Sequence, residues 1–189
     1  MSVAFILAML STEMRTSVVM AQAKRLGLIT AETDPSITPD PTLQNAPFIW
    51  VSPDEERDYP GYRRVVGGKH QDGTTMYFCK SNFVPGKLYK NECHYPYGGY
   101  EHVDTKIYRV LLTNKEYQWV AANAVSRDEI KEGAVKGGVD YGNDTIYLCR
   151  MKMSDGMHPG KYSYKNNRCY IPWGNKEYSY PAGFELLFR

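Results

Sequence analysis

The chain writes one pattern twice. Trp50-Val51 returns as Trp119-Val120, and Gly67-Gly68 as Gly137-Gly138. Met76-Tyr77-Phe78-Cys79-Lys80 returns as Ile146-Tyr147-Leu148-Cys149-Arg150, displaced by 70 residues. Pro85-Gly86-Lys87 and Pro159-Gly160-Lys161 are 74 residues apart, so the second copy carries four extra residues just before its proline. Cys93-His94-Tyr95-Pro96-Tyr97-Gly98 matches Cys169-Tyr170-Ile171-Pro172-Trp173-Gly174, and the strand around Val110-Leu111 matches Leu186-Leu187. A unit of about 70 residues is small for an independent core. The two copies are therefore expected to share one core and to be related by a pseudo-two-fold axis.

Each copy reads as short strands. In Thr145–Arg150 one face carries Thr145, Tyr147 and Cys149 and the other Ile146, Leu148 and Arg150. This period-2 alternation predicts strands with one face inward and the other wetter. The chain holds 16 Tyr, 16 Gly and 11 Pro, a mixture of strand formers and turn formers. Gln71-Asp72-Gly73 and Tyr141-Gly142-Asn143-Asp144 read as turns. After Phe48 no stretch has convincing helical periodicity, and Ser126–Lys131 amounts to one turn at most. The expectation is an all-β fold of two antiparallel units, residues 48–116 and 117–189. Exchange of a strand between them is allowed, because the second Trp-Val strand almost directly follows the first unit's last strand. Trp50, Trp119 and Trp173 read as core anchors, the glycine pairs as turn or bulge positions, and Pro-Gly as shaping the turn that presents the lysine.

Residues 1–47 lie outside the repeats. The apolar run Val3–Leu10 and the Ala21-Gln22-Ala23 triplet suggest a secreted protein. Against this, no Lys or Arg precedes the run, and Glu13 and Arg15 break up the stretch after it. A cytoplasmic chain with a helical leader over Ser17–Leu28 is therefore the alternative. The tract Thr33–Pro41 reads as an extended, proline-rich linker. No segment is long enough to cross a bilayer as a helix.

A net charge of +2 with scattered Lys and Arg gives no basic stripe for nucleic acid. The four cysteines fall two to a copy, without a C-x-x-C motif. Either each copy closes its own disulfide or all four are small buried residues. His94, His102 and His158 lack metal-ligand spacing, and no motif of catalytic residues is present, so neither an enzyme nor a cofactor is expected.

These blocks resemble the DM-nine repeat family. The second copy carries the fuller match: Trp119-Val120, Gly133-Ala134-Val135-Lys136-Gly137-Gly138, Ile146–Arg150, Pro159-Gly160-Lys161, Cys169-Tyr170, Trp173-Gly174-Asn175-Lys176-Glu177 and Phe184–Leu187. The first is looser, with Tyr100 where the family has lysine. The resemblance implies a tandem all-β fold and, as in lectin members, metal-free binding of mannose-type sugars, with innate recognition of microbes as the setting. Similar repeats also precede pore-forming segments in natterin-like proteins, for which no room is seen after Arg189. The family's sugar-holding Asp and Lys map onto Asp140 and Lys161. In the first copy they map onto His70 and Lys87, with Asp72 as a neighbour able to substitute. Asp accepts and Lys donates hydrogen bonds to vicinal hydroxyls, and bonds to charged groups are the stronger kind. Tyr141 is a candidate platform for the sugar ring. The implied partners are mannose-type glycans or a microbial surface polysaccharide, with a homodimer left open. The rival is a protein-interaction module that has lost sugar binding, for which His70 in place of an acid is the support. Asn143-Asp144-Thr145 is also a glycosylation sequon.

Overall fold

A computed structural model describes residues 45–140 and 142–189. The leader, the proline-rich tract and Tyr141, with the expectations attached to them, lie outside the described residues. The first repeat supplies β1 (Phe48–Val51), β2 (Arg63–Arg64), β3 (Val66–Lys69), β4 (Thr75–Ser81), β5 (Val84–Tyr89), β6 (Glu92–Tyr97), β7 (Tyr100–Asp104) and β8 (Arg109–Thr113). The second supplies β9 (Gln118–Ala121), β10 (Lys136–Val139), β11 (Thr145–Met153), β12 (Gly156–Ser163), β13 (Arg168–Trp173), β14 (Lys176–Tyr180) and β15 (Phe184–Phe188). All pairings are antiparallel, in the order β1-β8-β4-β5-β6-β7-β14-β13-β12-β11-β15-β9. That order reads the same from either end once each strand is replaced by its repeat mate, which is the pseudo-two-fold symmetry expected of the duplication.

The hairpin turns explain the tight meander. Asn82 and Phe83, Lys90 and Asn91, Gly98 and Gly99, and Gly174 and Asn175 all have positive φ. Paired positive φ at the two central residues gives the turn whose twist suits adjacent antiparallel strands. Gly and Asn tolerate this backbone; Phe83, at φ 71°, does so under strain.

Three apolar clusters form the interior. One holds Val51, Cys79, Leu88, Cys93 and Val110 of the first repeat. Another holds Tyr147, Cys149, Tyr162, Cys169 and Leu186 of the second. The third is shared, and is built from equivalent residues of both: Val65 with Val135, Phe78 with Leu148, and Leu111 with Leu187. The expectation of one wet face per strand is therefore corrected. In β11, Tyr147 and Cys149 fill the private core while Leu148 fills the shared one, and all three are at most 1% exposed. The cysteines form Cys79–Cys93 and Cys149–Cys169, one disulfide per repeat.

Three further expectations change. The strand exchange allowed by the chain order is not made: β1 pairs with β8 and β9 with β15, each within its own repeat. Trp119 crosses only by its side chain, stacking on Phe78 at 5.9 Å between ring centroids. Pro-Gly-Lys lies inside β5 and β12 rather than in a turn, and its glycine admits the close approach of the neighbouring strand, since a Cβ on Gly86 would stand 2.0 Å from the His94 carbonyl oxygen. Residues Arg127–Gly133 form a helix, α1, started by a capping box in which Ser126 Oγ accepts from the Glu129 N–H.

The double glycines explain why both halves keep both motifs. Register shifts place bulges at Val66/Gly68 and Lys136/Gly138. A Cβ on Gly67 would fall 2.5 Å from Pro159 Cβ, and one on Gly137 would fall 2.6 Å from Pro85 Cγ. The glycine pair of each repeat thus receives the Pro-Gly-Lys proline of the other.

Candidate functional site

Asp140 and Lys161 border the same cleft, of about 540 Å³. Asp140 sits in the turn between β10 and β11, where its N–H donates to the Asp144 carbonyl at 2.9 Å and its carbonyl accepts from Asn143 N–H at 2.9 Å. The Asp144 carboxylate pins that turn to the end of β12, accepting from the Ser163 hydroxyl and from Lys165 N–H. Lys161 comes from β12 and is 5% exposed. Its Nζ lies 3.5 Å from Glu177 Oε1 and 5.4 Å from the ring centroids of both Tyr97 and Tyr170. Across the cleft stand Asn82, Phe83, Val84 and Pro85 of the first repeat's β4–β5 hairpin, and Val139 and Ile146 add apolar wall. The cleft is therefore composite, with the turn and lysine from one repeat and the opposing hairpin from the other.

The first-repeat residues occupy the equivalent composite place, but there the lysine is held by the protein's own acceptors. Lys87, also 5% exposed, donates to the Pro172 carbonyl at 2.6 Å and pairs with Glu101 Oε1 at 3.0 Å. Burial pulls the Lys87 ammonium below the usual lysine range, with Glu101 opposing. Burial also works against ionisation of Glu101, yet His94, Lys87 and the Asn175 N–H together hold its carboxyl down at about 2.

His70 does not face an open cleft. The four extra residues lengthen the β11–β12 hairpin so that it reaches over the first repeat, where His70 forms a bridge with Gly156 and Gln71 N–H donates to the Asp155 carbonyl at 2.6 Å. The Asp155 carboxylate then lies 3.2 Å from His70 Nε2 and accepts from Trp173 Nε1 at 2.8 Å. His158 Nε2 is 2.9 Å from Asp155 Oδ1 without the alignment of a hydrogen bond. Burial, then the positive charge of Lys87, push the His158 imidazole down to about 4. Asp72, the neighbouring acid, is engaged by its own surroundings: its oxygens accept from Thr74 N–H at 2.9 Å and Tyr89 OH at 2.8 Å, and lie 2.9 Å from His70 Nδ1 and 3.3 Å from Lys90 Nζ. The Thr74 N–H, with the other donors, holds the Asp72 carboxyl well below the usual range.

The structure thus brings Asp140 and Lys161 to one open cleft and puts His70 and Lys87 in a place filled by Asp155. Sequence reasoning missed Phe83, Tyr97, Glu101, Glu177 and Asp155. The four-residue insertion was a visible signal for Asp155, and the Glu of the Tyr-Gly-Gly-Tyr-Glu segment one for Glu101. Among the described residues no group of three or more His, Cys, Asp and Glu side chains is arranged to hold a metal ion, and no helix is long and apolar enough to cross a membrane.

Among solved structures, the fold is similar to that of the nematode sperm cell motility protein MFP2B, with a TM-score of 0.51 and 15% sequence identity over 66% of this chain and 39% of that one. The chain thus spans about two fifths of the length of that protein. None of the curated proteins matches it. A family model described as DM9 repeat matches residues 78–180, which take in both disulfides, both Pro-Gly-Lys segments and Asp140, and it points to a module of the carbohydrate-binding kind. That stretch is more than half of the sequence, and the chain belongs to the DM9 repeat family.

Proposed function

We propose that the protein is a non-enzymatic lectin that holds a mannose-type sugar in the cleft bordered by Asp140 and Lys161, without a metal. The observation that carries this reading is the state of Lys161. Its ammonium is buried against two aromatic rings, yet its carboxylate neighbour stands 3.5 Å away, so it keeps donors for a ligand. Asp140 on the adjoining turn offers acceptors, and a pair of vicinal hydroxyls needs both. Val139, Ile146, Val84 and Pro85 suit the C–H faces of a sugar ring. One shallow site gives weak binding, which presentation of several sites on a glycan-coated surface such as a microbe's would amplify. Two intrachain disulfides suit an oxidising compartment, in keeping with a secreted protein engaged in innate recognition.

The test is a glycan array together with retention on mannose-agarose, for wild type, Asp140→Ala and Lys161→Met. Binding by wild type, its loss in both variants and indifference to a chelator are the expected outcome. The self-paired groups around His70 favour the second reading, a protein-interaction surface, for the first-repeat half alone. Retention unchanged by either variant would extend that reading to the whole molecule.

A further inference from the structure

Beside the Asp140–Lys161 cleft lies a second of about 530 Å³, and Asn82 and Phe83 border both. Its other walls carry three cations, Lys80, Lys106 and Arg109, against one carboxylate, Asp54. Lys80 and Arg109 are direct cross-strand partners on β4 and β8. Like charges so placed destabilise a sheet. The second repeat shows the compensated form: the matching residues Arg150 and Glu185 are also cross-strand partners, and they pair at 2.6 Å. Both basic residues lie over a tryptophan ring, Lys80 at 4.6 Å from Trp50 and Arg150 at 4.1 Å from Trp119, so the cross-strand carboxylate is what the first repeat lacks. Burial, then the neighbouring Arg109, pulls the Lys80 ammonium down to about 8. Asp104, the other nearby carboxylate, is committed elsewhere, since it accepts from Ser81 Oγ at 2.7 Å and from the N–H groups of Lys106 and Ile107. That bracing holds the loop carrying Lys106 and Ile107 at the rim, where Ile107 is 82% exposed. Between the two clefts Phe83 is 73% exposed on a strained positive-φ backbone. A like-charged cross-strand pair and a strained, bare aromatic ring side by side are both costs to the fold, and one ligand would offset both.

We infer that this second cleft receives an oxyanion, phosphate, sulfate or carboxylate, carried on the same glycan whose neutral ring fills the Asp140–Lys161 cleft, with Phe83 packing on the sugar between them. The inference rests on the lectin reading and specifies it: the preferred ligand is an acidic oligosaccharide.

Arg109→Glu copies the second repeat and supplies Lys80 with a partner, so the variant folds and its Tm rises. The experiment titrates wild type and Arg109→Glu with three probes: neutral oligomannose, the same oligomannose bearing a phosphate, and inorganic phosphate. Wild type binds the phosphorylated glycan about tenfold more tightly than the neutral one, as one charge-assisted contact set provides. The increment shrinks with added salt and vanishes in Arg109→Glu, while neutral oligomannose binds both proteins equally. Equal affinity of wild type for the two glycans would overturn the inference. So would inorganic phosphate binding as tightly as the phosphorylated glycan, which would mark a free-anion site. Failure of neutral oligomannose to bind wild type marks instead the failure of the lectin reading, and is read separately from the increment.

Discussion

Lys161 Nζ stands 3.5 Å from Glu177 Oε1 on the wall of an open cleft, while its repeat mate Lys87 is held 3.0 Å from Glu101 and donates to the Pro172 carbonyl. The two glutamates also tie the halves together. Glu177 Oε2 accepts the Gly99 N–H at 2.7 Å, and Glu101 Oε2 accepts the Asn175 N–H at 2.8 Å. One duplicated scaffold thus supplies two equivalent places, of which the insertion before Pro159 fills one.

Asp155 is the residue that fills it. Asp155→Ala leaves His70 Nε2 and Trp173 Nε1 without their acceptor. Stripping a buried donor of its partner costs about 1–3 kcal/mol. Urea denaturation should show that loss, with affinity at the Asp140–Lys161 cleft unchanged. A fall in that affinity would mean the two places are coupled.

Phe83 sets stability against binding. Glycine accepts φ 71° without the Cβ penalty, so Phe83→Gly should stabilise the fold by up to about 1 kcal/mol. The same change removes the exposed ring at the cleft's edge and should weaken glycan binding severalfold. Thermal melts and a binding titration on one preparation check both directions.

Acid should destabilise the protein in two stages. His158 has a folded pKa of about 4 against 6.5 ordinarily, so the unfolded chain takes the proton first. Its contribution is present above pH 6.5 and is lost as pH falls toward 4, on the order of 3 kcal/mol. The groups facing it are Lys87, Asp155 and His70. Glu101 is depressed from 4.5 to about 2, so its contribution is lost below the first window, between those values. His158→Gln should remove the first stage and leave the second, as read from denaturation midpoints across pH.

Each disulfide closes a loop inside one private core, with a sequence separation of 14 between Cys79 and Cys93 and of 20 between Cys149 and Cys169. Replacing either pair by alanine should cost about 2–4 kcal/mol. The two losses should be similar, since loop entropy varies only with the logarithm of length. Guanidinium unfolding of the two double variants measures this.

The strands, the pseudo-symmetry and the shared core were legible because they rest on local alternation and on a pattern written twice. The pairing of Asp140 with Lys161 came from family resemblance. The sequence could not show that Phe83, Val84 and Pro85 complete the second repeat's cleft, because those contacts join residues far apart in the chain. His70 read as a weakened site residue, since nothing local says that an insertion about 85 residues later folds back over it. The helix α1 was missed: Ser126 and Glu129 stand at capping-box spacing, but seven residues are too few to show an apolar period, and the stretch read as one turn at most.

The central claim is tested most directly by titrating wild type, Asp140→Ala, Lys161→Met and His70→Ala with oligomannose, with thermal melts to confirm that each is folded. The account predicts at least a roughly tenfold loss of affinity in the first two variants and wild-type affinity in His70→Ala. Unchanged affinity in folded Asp140→Ala and Lys161→Met would contradict it.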